Sequence, residues 1–234
     1  MSRTSGGWRL SIVVPALNEA ERIVATLQSV QALRARGHEV LVVDGGSADG
    51  TAALAAPYAD QVLVAPAGRA AQMNRGASAA SGDALLFLHA DTRLPQDADQ
   101  HVRDALRDGG RSWGRFDVRI EGRSPLLAMV AFCMNWRSRL SGVATGDQAI
   151  FAARSAFERA GGFPEIALME DVAFSIRMKR LSAPVCLFAK AATSGRRWER
   201  NGIWKTILLM WRLRLAFFLG VRPDELARRY AKQA

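Results

Sequence analysis

His89 and Asp91 follow the apolar run Leu85–Leu88, and both are side chains that can bind a metal ion. Such a run is typical of a strand buried on both faces of a parallel sheet. Strands of this kind bring their last residues to the carboxyl edge of the sheet, where open α/β folds bind ligands. Residues two apart share one face, so we expect His89 and Asp91 to lie together and to hold Mg²⁺ or Mn²⁺ against a diphosphate. A simple turn followed by a helix cap is the alternative.

Three other places carry side chains suited to a nucleotide or a sugar. Asp44 ends a second apolar run and opens the Gly-rich loop Asp44–Thr51, where an acid can accept hydrogen bonds from a ribose or a base N–H. Arg69 lies in the first turn of a predicted helix, against the helix dipole, which favours a bound phosphate; a solvated Arg69 is the alternative. Glu170 and Asp171 open another helix, where paired acids are most often caps unless the fold brings them to the sheet edge.

The elements that position these residues alternate between strands and helices. Strands are predicted over residues 10–15, 40–43, 62–64, 85–88, 113–120 (with one wet face) and 149–151. Helices are predicted over about 19–36, from 68 onward, over 97–107 and from 169 through 178, with a packed helix or a substrate-facing flap within 124–140. Asn18 and Glu21 resemble a capping box. The opening β-α-β pattern predicts an α/β fold with a mostly parallel sheet flanked by helices.

Composition places the chain among globular proteins, with 49% apolar and 23% charged residues in 234. The net charge is +10, but no zinc-finger, homeodomain or RNA-recognition signature occurs, so we expect no nucleic-acid partner. Cys133 and Cys186 show no metal-binding spacing and fit reduced thiols in the cytoplasm. The apolar run from Leu10 to Leu17 is interrupted by Pro15 and is too short for a signal peptide.

The segment from Ile203 to Leu219 is apolar and aromatic but contains Lys205, Arg212 and Arg214. Two Arg near the middle of a membrane span would cost roughly 5 to 7 kcal/mol, so we do not expect this segment to cross a bilayer. It fits a helix lying on an anionic membrane surface, or equally a helix packed on the core or in a homodimer.

The ordered motifs resemble those of family 2 glycosyltransferases of the GT-A fold, inverting enzymes that use nucleotide-diphosphate sugars. They are Val-Val-Pro-Ala-Leu-Asn-Glu at 13–19, Val-Asp-Gly-Gly-Ser-Ala-Asp-Gly-Thr at 43–51, Leu-His-Ala-Asp at 88–91, Gly-Gly-Phe at 161–163 and Glu-Asp at 170–171. Within the family the chain is most similar to a small bacterial branch with Gly-Arg-Ala-x-Gln-Met-Asn and Leu-His-Ala-Asp-Thr. The resemblance implies a GT-A domain over residues 1–198 and a C-terminal helical extension, apolar and basic, over 199–234.

The resemblance also assigns roles to individual residues. It makes Asp91, the last acid of the family's Asp-x-Asp, the metal ligand, and it makes Asp171, next to Glu170, the general base. His89 stands where the family has the first acid, which leaves the nucleotide preference open, although His89 could still donate a hydrogen bond or bind Mn²⁺. The donor-binding residues that we expect are Pro15, Asn18, Glu19, Asp44, Ser47, Arg69, Asn74, His89 and Asp91.

Three functions follow from these patterns. The first is a metal-dependent glycosyltransferase that moves a sugar, with a UDP-sugar as the favoured donor, to a hydroxyl on a lipid or cell-envelope glycan. We expect it in the cytoplasm or on the inner face of the cell membrane. The second, motivated by His89, is a regulatory or scaffold protein that binds nucleotide sugars without turnover. The third is a sugar-phosphate nucleotidyltransferase, against which the missing Gly-rich, Arg-bearing signature after the first strand counts.

Overall fold

The computed structural model describes residues 7–107 and 110–231. Residues 1–6 and 108–109 of the predicted domain and residues 232–234 of the predicted C-terminal extension lie outside the described residues. The strands are β1 Leu10–Ala16, β2 Glu39–Asp44, β3 Gln61–Val64, β4 Ala84–Phe87, β5 Thr92–Arg93, β6 Trp113–Glu121, β7 Phe151–Ala153 and β8 Val185–Ser194. The helices are α1 Ala20–Ser29, α2 Gln31–Ala35, α3 Thr51–Ala55, α4 Arg69–Ala79, α5 Ala98–Arg107, α6 Leu126–Ser141, α7 Arg154–Arg159, α8 Glu170–Lys179, α9 Arg196–Asn201, α10 Ile203–Phe218 and α11 Pro223–Ala231.

All eight strands form one mixed sheet in the order β3-β2-β1-β4-β7-β6-β8-β5. The first four are parallel to one another, and β6 is parallel to β8. The pairs β4/β7, β6/β7 and β5/β8 are antiparallel. The expected α/β fold with helices on a largely parallel sheet is therefore confirmed.

Helices cover both faces of the sheet, which explains the continuous apolar runs in β1, β2 and β4. Successive residues of a strand point to opposite faces. Ile12 of β1 packs in one core cluster with Leu27 of α1 and Val102 of α5. Its neighbour Val13 belongs to a second cluster with Met73 of α4 and Phe174 of α8. Strands buried on both sides need apolar residues at every position.

The loop between β1 and α1 differs from the prediction. The predicted helix over 19–36 is two helices that meet at Val30. Asn18 does not cap α1, since it adopts a left-handed conformation with φ of 54° and its Oδ1 accepts a hydrogen bond from the Ala48 backbone N–H at 3.0 Å. The Asn18 side chain therefore joins this loop to the Gly-rich loop that follows β2, instead of starting the helix.

Strand β6 has no continuous wet face, because Arg115 and Asp117 are buried and bond to residues of α6, while Arg119 near the end of the strand is exposed. Arg115 is fully buried and bonds to Asp117, whose two oxygens also accept hydrogen bonds from Arg139 at 2.7 and 2.9 Å. The Arg115 Nε donates to Ser138 at 3.1 Å. The alternation of polar and apolar residues in β6 thus marks a buried ionic network, and α6 is a packed helix. Three further strands also differ from the prediction, because β7 begins two residues later than expected and neither β5 nor β8 was predicted.

The C-terminal helices pack on α8 and on the loop before the 3₁₀ turn Gly146–Gln148. Leu209 and Leu213 of α10 and Leu226 of α11 are buried in one cluster with Val143 and Val172. The predicted boundary at residue 198 falls inside α9, and the division into a domain and an extension stays a prediction. Within residues 7–107 and 110–231, no helix is both long enough and apolar enough to cross a membrane.

Candidate active site

A cavity of about 500 Å³ lies at the carboxyl ends of β1 and β4, between the N-termini of α4 and α8 and one side of α10. Seven of the predicted site residues line it, and they come from four separate segments of the chain. They are Pro15, Glu19, Arg69, His89, Asp91, Glu170 and Asp171. The structure thus brings the two predicted chemical centres, Asp91 and the pair Glu170–Asp171, into one cavity.

Four predicted donor-binding residues, Asn18, Asp44, Ser47 and Asn74, are not among the lining residues. Ser47 accepts a hydrogen bond from the Asn18 backbone N–H at 2.9 Å, which adds a second link between the two loops. The Asn74 amide bonds to both the N–H and the C=O of Phe163, at 2.9 Å each. Asn74 in this structure holds the turn at Phe163, and its predicted contact with the donor has no support from its position.

The two carboxylate oxygens of Asp44 differ in their hydrogen bonding. Its Oδ2 accepts hydrogen bonds from the backbone N–H groups of Gly46 and Ser47 at 3.0 and 2.9 Å. Its Oδ1 is buried and has no hydrogen-bond partner among the described residues. Buried polar atoms are rarely left unpaired. That Asp44 holds a base or a ribose stays a prediction, because Asp44 is not among the residues that line the cavity.

His89 and Asp91 do not share a strand face, because β4 ends at Phe87 and residues 89–92 form a turn. The His89 Nδ1 lies 3.3 Å from Asp147 Oδ1. The opposite edge of the ring packs on Gly146, where a Cβ atom would sit 2.3 Å from Nε2. Both ring nitrogens are therefore directed at residues 146–147. The expectation that His89 and Asp91 share one face of a strand end is wrong, and their role as metal ligands stays a prediction.

Asp91 is half-buried, and its only hydrogen bond in the described part of the chain comes from Thr92 Oγ1 at 3.3 Å. No group of three or more His, Cys, Asp or Glu side chains is arranged as a metal site within residues 7–107 and 110–231. A site with one carboxylate suits Mg²⁺ or Mn²⁺ when substrate phosphates supply further oxygens. The donor set of this cavity fits that type of binding, with Asp91 as the protein ligand.

The two acids of α8 differ in their surroundings. Asp171 is oriented by two backbone N–H groups, from Gly146 to Oδ2 at 2.9 Å and from Val172 to Oδ1 at 2.7 Å. Burial, and then the charge of Asp171, raise the pKa of Glu170 above its ordinary value. Met169, just before the pair, has a φ of 70°, which is uncommon for a residue with a side chain. Of the two acids, Asp171 is the one with a fixed, half-exposed carboxylate.

Asp147, in the turn Gly146–Gln148, lines the cavity although it was not among the predicted site residues. Partial burial alone would raise its pKa, but the hydrogen bond from His89 and the charges of His89, Arg69 and Arg197 lower the pKa to about 2. Asp147 therefore stays ionised and balances part of the positive charge in the cavity.

Several arginines that line the cavity were also not predicted. Besides Arg69 they are Arg22, Arg196, Arg197, Arg200 and Arg214. Arg197 bonds to the Tyr230 hydroxyl and lies 4.7 Å above the centre of that ring. Arg214 comes from α10, which also contributes Thr206, Met210 and Leu213 to the lining. Spacings of four, three and one residues place these side chains on one face of a helix. This periodicity can be read from the sequence and could have predicted that α10 presents Arg214 together with the other three residues.

A family model and a curated relative both match this chain, and both are described as glycosyltransferases. The model of the family described as "Glycosyl transferase family 2" matches residues 11–148, which include Asp44, His89 and Asp91. An uncharacterized glycosyltransferase of Mycobacterium tuberculosis is 29% identical over 200 residues, covering 80% of this chain and 76% of that protein.

Solved structures share the fold at low sequence identity. Staphylococcus aureus TarS (residues 1–349), solved with UDP-GlcNAc, superimposes with a TM-score of 0.65 at 17% identity, covering 80% of this chain and 58% of that one. The mannosyltransferase PcManGT of Pyrobaculum calidifontis, solved with GDP-Man and Mn²⁺, gives 0.60 at 20% identity, covering 80% and 57%. The chain spans less than two thirds of the length of both structures. Their common architecture is the GT-A fold.

Proposed function

The chain belongs to glycosyltransferase family 2, and from this premise we propose that it moves a sugar from a nucleotide-diphosphate sugar to an acceptor hydroxyl, with inversion at the anomeric carbon. One observation carries the proposal. Asp91, after β4, and Asp171, at the start of α8, line the same cavity. A leaving-group site and a base must face each other across the anomeric carbon for an inverting displacement.

The donor occupies the side of the cavity formed by β1, the turn after β4 and the start of α4. Pro15 and Glu19 lie along the nucleoside, and the free Oδ1 of Asp44 accepts a hydrogen bond from the base or the ribose. Arg69 pairs with the diphosphate at the N-terminus of α4, where backbone N–H groups also favour an anion. We favour a UDP-sugar as donor. Support comes from TarS, which was solved with UDP-GlcNAc. Because PcManGT was solved with GDP-Man, GDP-sugars are included in the binding test below.

Asp91 would hold Mg²⁺ or Mn²⁺, and the ion would supply positive charge to stabilise the departing diphosphate. Asp171 accepts the proton of the acceptor hydroxyl while that oxygen attacks the anomeric carbon on the face opposite the diphosphate. The N–H groups of Gly146 and Val172 hold the Asp171 carboxylate in one orientation for this transfer. Burial, and then the charge of Asp171, raise the pKa of the neighbouring Glu170, so Asp171 is the acid of the pair that we assign as the base.

The test compares binding with turnover. Purified protein is screened by thermal shift against UDP-, GDP- and dTDP-sugars with and without Mn²⁺ or Mg²⁺, and turnover is followed as nucleotide release. We expect a metal-dependent shift with one nucleotide class. Asp91→Ala should lose the metal-dependent part of the shift, while Asp171→Asn should keep it and lose about 10²- to 10⁴-fold in rate. Asp104→Asn, at an exposed acid of α5, is the control. Unchanged sugar transfer in both active-site variants would refute the mechanism.

A scaffold protein that binds nucleotide sugars without turnover is the second candidate. It is favoured by His89, which replaces an acid of the family motif and directs its ring at Gly146 and Asp147. Donor binding without any hydrolysis or transfer would support it. Consumption of a nucleoside triphosphate with a sugar phosphate would instead point to a nucleotidyltransferase.

We also propose that the protein binds the cytoplasmic surface of an anionic membrane, which places a lipid or envelope-glycan acceptor within reach. On α10 the aromatic side chains of Trp204, Trp211 and Phe218 are exposed. Phe132 and Trp136 are exposed on α6, which packs against the first turns of α10. Aromatic residues next to basic ones are typical of helices that lie in a membrane interface.

Sedimentation with vesicles tests this surface. We expect binding to phosphatidylglycerol vesicles, little binding to phosphatidylcholine vesicles, and loss of binding in a Trp211→Ser/Phe132→Ser variant. A monomer–dimer equilibrium that the same variant abolishes, without vesicle binding, would support the homodimer alternative instead.

A further inference from the structure

The chain enters α9 beside the turn that carries Asp91. Thr193, near the end of β8, pairs with Thr92, which directly follows Asp91, and the two threonine hydroxyls are 3.0 Å apart. Arg197 lies in the first turn of α9, shortly after this pairing. Asp91, Thr193 and Arg197 all line the cavity. These contacts place Arg197 at the rim of the proposed donor side, on the chain that leaves the pairing next to Asp91.

Arg197 differs from two other arginines of this rim in the partner that it has. Arg22 Nη1 lies 3.3 Å from Glu19 Oε2, and Arg196 Nη1 lies 3.2 Å from Glu21 Oε2, so an acid compensates each of these charges. In the described part of the chain no acid lies within ion-pair distance of Arg197. Its side chain is exposed and lines the cavity, so its positive charge is accessible to a ligand.

Tyr230 of α11 holds the Arg197 side chain instead of an acid. Arg197 Nη1 donates a hydrogen bond to the Tyr230 hydroxyl, and Arg197 Cζ lies 4.7 Å from the centre of the ring. Because a phenol is neutral, this contact fixes the guanidinium without neutralising its charge. A guanidinium has five N–H donors, so donors remain for an anion in the cavity.

The position of α11 does not depend on this contact alone. Leu226 is fully buried in one cluster with Leu209 and Leu213 of α10, which docks α11 on the neighbouring helix. Tyr230 lies one turn further along α11, where it is half-buried and lines the cavity. Substitution of Tyr230 therefore removes the contact with Arg197 and leaves the buried anchor of the helix in place.

We propose that Tyr230 is a positioning residue, which holds Arg197 in the orientation that binds the diphosphate of the donor. This inference rests on the proposed function, which supplies the diphosphate. A guanidinium binds a phosphate best through two parallel hydrogen bonds, which require a fixed orientation. An unrestrained arginine loses rotamer freedom when it binds, whereas Tyr230 restricts Arg197 before the ligand arrives. Helix α11 thereby contributes to donor binding, far along the chain from the other donor-side residues.

An alternative role for the contact is only to stabilise α11. Loss of the Tyr230 ring would then lower the melting temperature of the ligand-free protein. It would not make the protein bind a nucleoside diphosphate less well while it still binds the nucleoside as before.

The experiment compares a nucleoside diphosphate with its nucleoside. Full-length protein with Mg²⁺ is titrated calorimetrically with the nucleoside diphosphate of the class that binds in the thermal-shift screen, for which we expect UDP, and with uridine. We expect the Kd of UDP to rise about 10- to 100-fold in Arg197→Gln and about 2- to 10-fold in Tyr230→Leu. Tyr230→Phe, which keeps the ring, should lie between Tyr230→Leu and the unchanged protein. The Kd of uridine should stay the same in all three variants, because uridine has no diphosphate.

A double variant shows whether Tyr230 acts through Arg197. In the Arg197→Gln background, Tyr230→Leu should cause no further rise in the Kd of UDP. Tyr58→Phe is the first control, since it removes a hydroxyl from a tyrosine outside the cavity lining. Arg228→Gln is the second, since it removes a positive charge from an exposed position of α11. Both controls should bind UDP like the unchanged protein.

Three results would overturn the proposal: unchanged binding of UDP in Tyr230→Leu, equal weakening of UDP and uridine, or a loss in Tyr230→Leu that persists in the Arg197→Gln background. Failure of the proposed function is visible separately, because no nucleoside diphosphate would then bind the unchanged protein. Inorganic pyrophosphate with Mg²⁺ then replaces UDP in the same variants. Pyrophosphate binding that does not depend on both Tyr230 and Arg197, or no binding at all, would also overturn the proposal.

Discussion

Gly146→Ala should damage both stability and activity, because Gly146 is in direct contact with the His89 ring. A Cβ at this position would lie 2.3 Å from Nε2 and 2.4 Å from Cε1, whereas ordinary contact begins at 3.4 Å. The ring must therefore move by about 3.4 − 2.3 = 1.1 Å or the loop must move away. Overpacking of this kind costs about 1–3 kcal/mol. For a chain of this size that lowers the melting temperature by about 2 to 12 °C.

The same displacement reaches the proposed base. The Gly146 N–H donates to Asp171 Oδ2 at 2.9 Å. If the loop moves to make room for a Cβ, this hydrogen bond is lengthened or broken. A misplacement of about 1 Å in an active site can cost about 10²-fold in rate. We expect that loss in kcat for donor turnover, measured as nucleotide release, with calorimetric melting as the second readout.

A double-mutant cycle tests the physical cause. In the His89→Ala background the ring is absent, so adding Gly146→Ala should cost almost no melting temperature, and the two changes should be strongly non-additive. Gly7→Ala is the control for the added methyl group, since a Cβ there meets nothing within 4 Å. Additive losses in the double variant would show that the contact with His89 is not the cause.

Two further substitutions test charges that the fold buries. Burial and the charge of Asp171 raise the pKa of Glu170, so the folded state binds this proton more tightly than the unfolded chain and its ionised form destabilises the fold. Glu170→Gln should raise the melting temperature at about pH 8. The gain should vanish at about pH 4, because Glu170 is then protonated in both the folded and the unfolded protein. A gain that does not depend on pH would contradict this. Asp117→Asn leaves the fully buried Arg115 without its carboxylate and should lower the unfolding free energy by about 3–5 kcal/mol in denaturant titrations. Arg119→Gln, at an exposed position of the same strand, should change it by less than about 1 kcal/mol, and equal effects of the two would contradict a buried ionic network.

The parallel half of the fold could be predicted because its strands are buried on both faces. Val40–Val43 and Leu85–Leu88 contain only apolar residues, and short runs of this kind are typical of strands that helices cover on both sides. Asp44 and Asp91, the acids that follow these two strands, were therefore expected at one edge of the sheet. The structure places Asp91, Arg69 and Asp171 in one cavity there.

The other half was harder because its polar residues are satisfied by distant partners. In β6 the residues Arg115 and Asp117 look like a solvent-facing side until α6 supplies Asn135, Ser138 and Arg139. Strand β8 mixes exposed and buried positions, so no clear periodicity marks it. Spacing along a strand also could not reveal that β4 stops at Phe87 and that a turn directs His89 toward residues 146–147.

Helix α10 gives the cavity an order of assembly. The chain leaves the ribosome with its N-terminus first. Strands β1 to β4, which form the parallel part of the sheet, are complete once residue 87 has emerged, whereas Arg214 follows 127 residues later (214 − 87). The growing chain therefore forms the sheet edge that carries Asp91 before α10 exists. The cavity is complete only after α10 has docked, because Thr206, Met210, Leu213 and Arg214 form one of its walls.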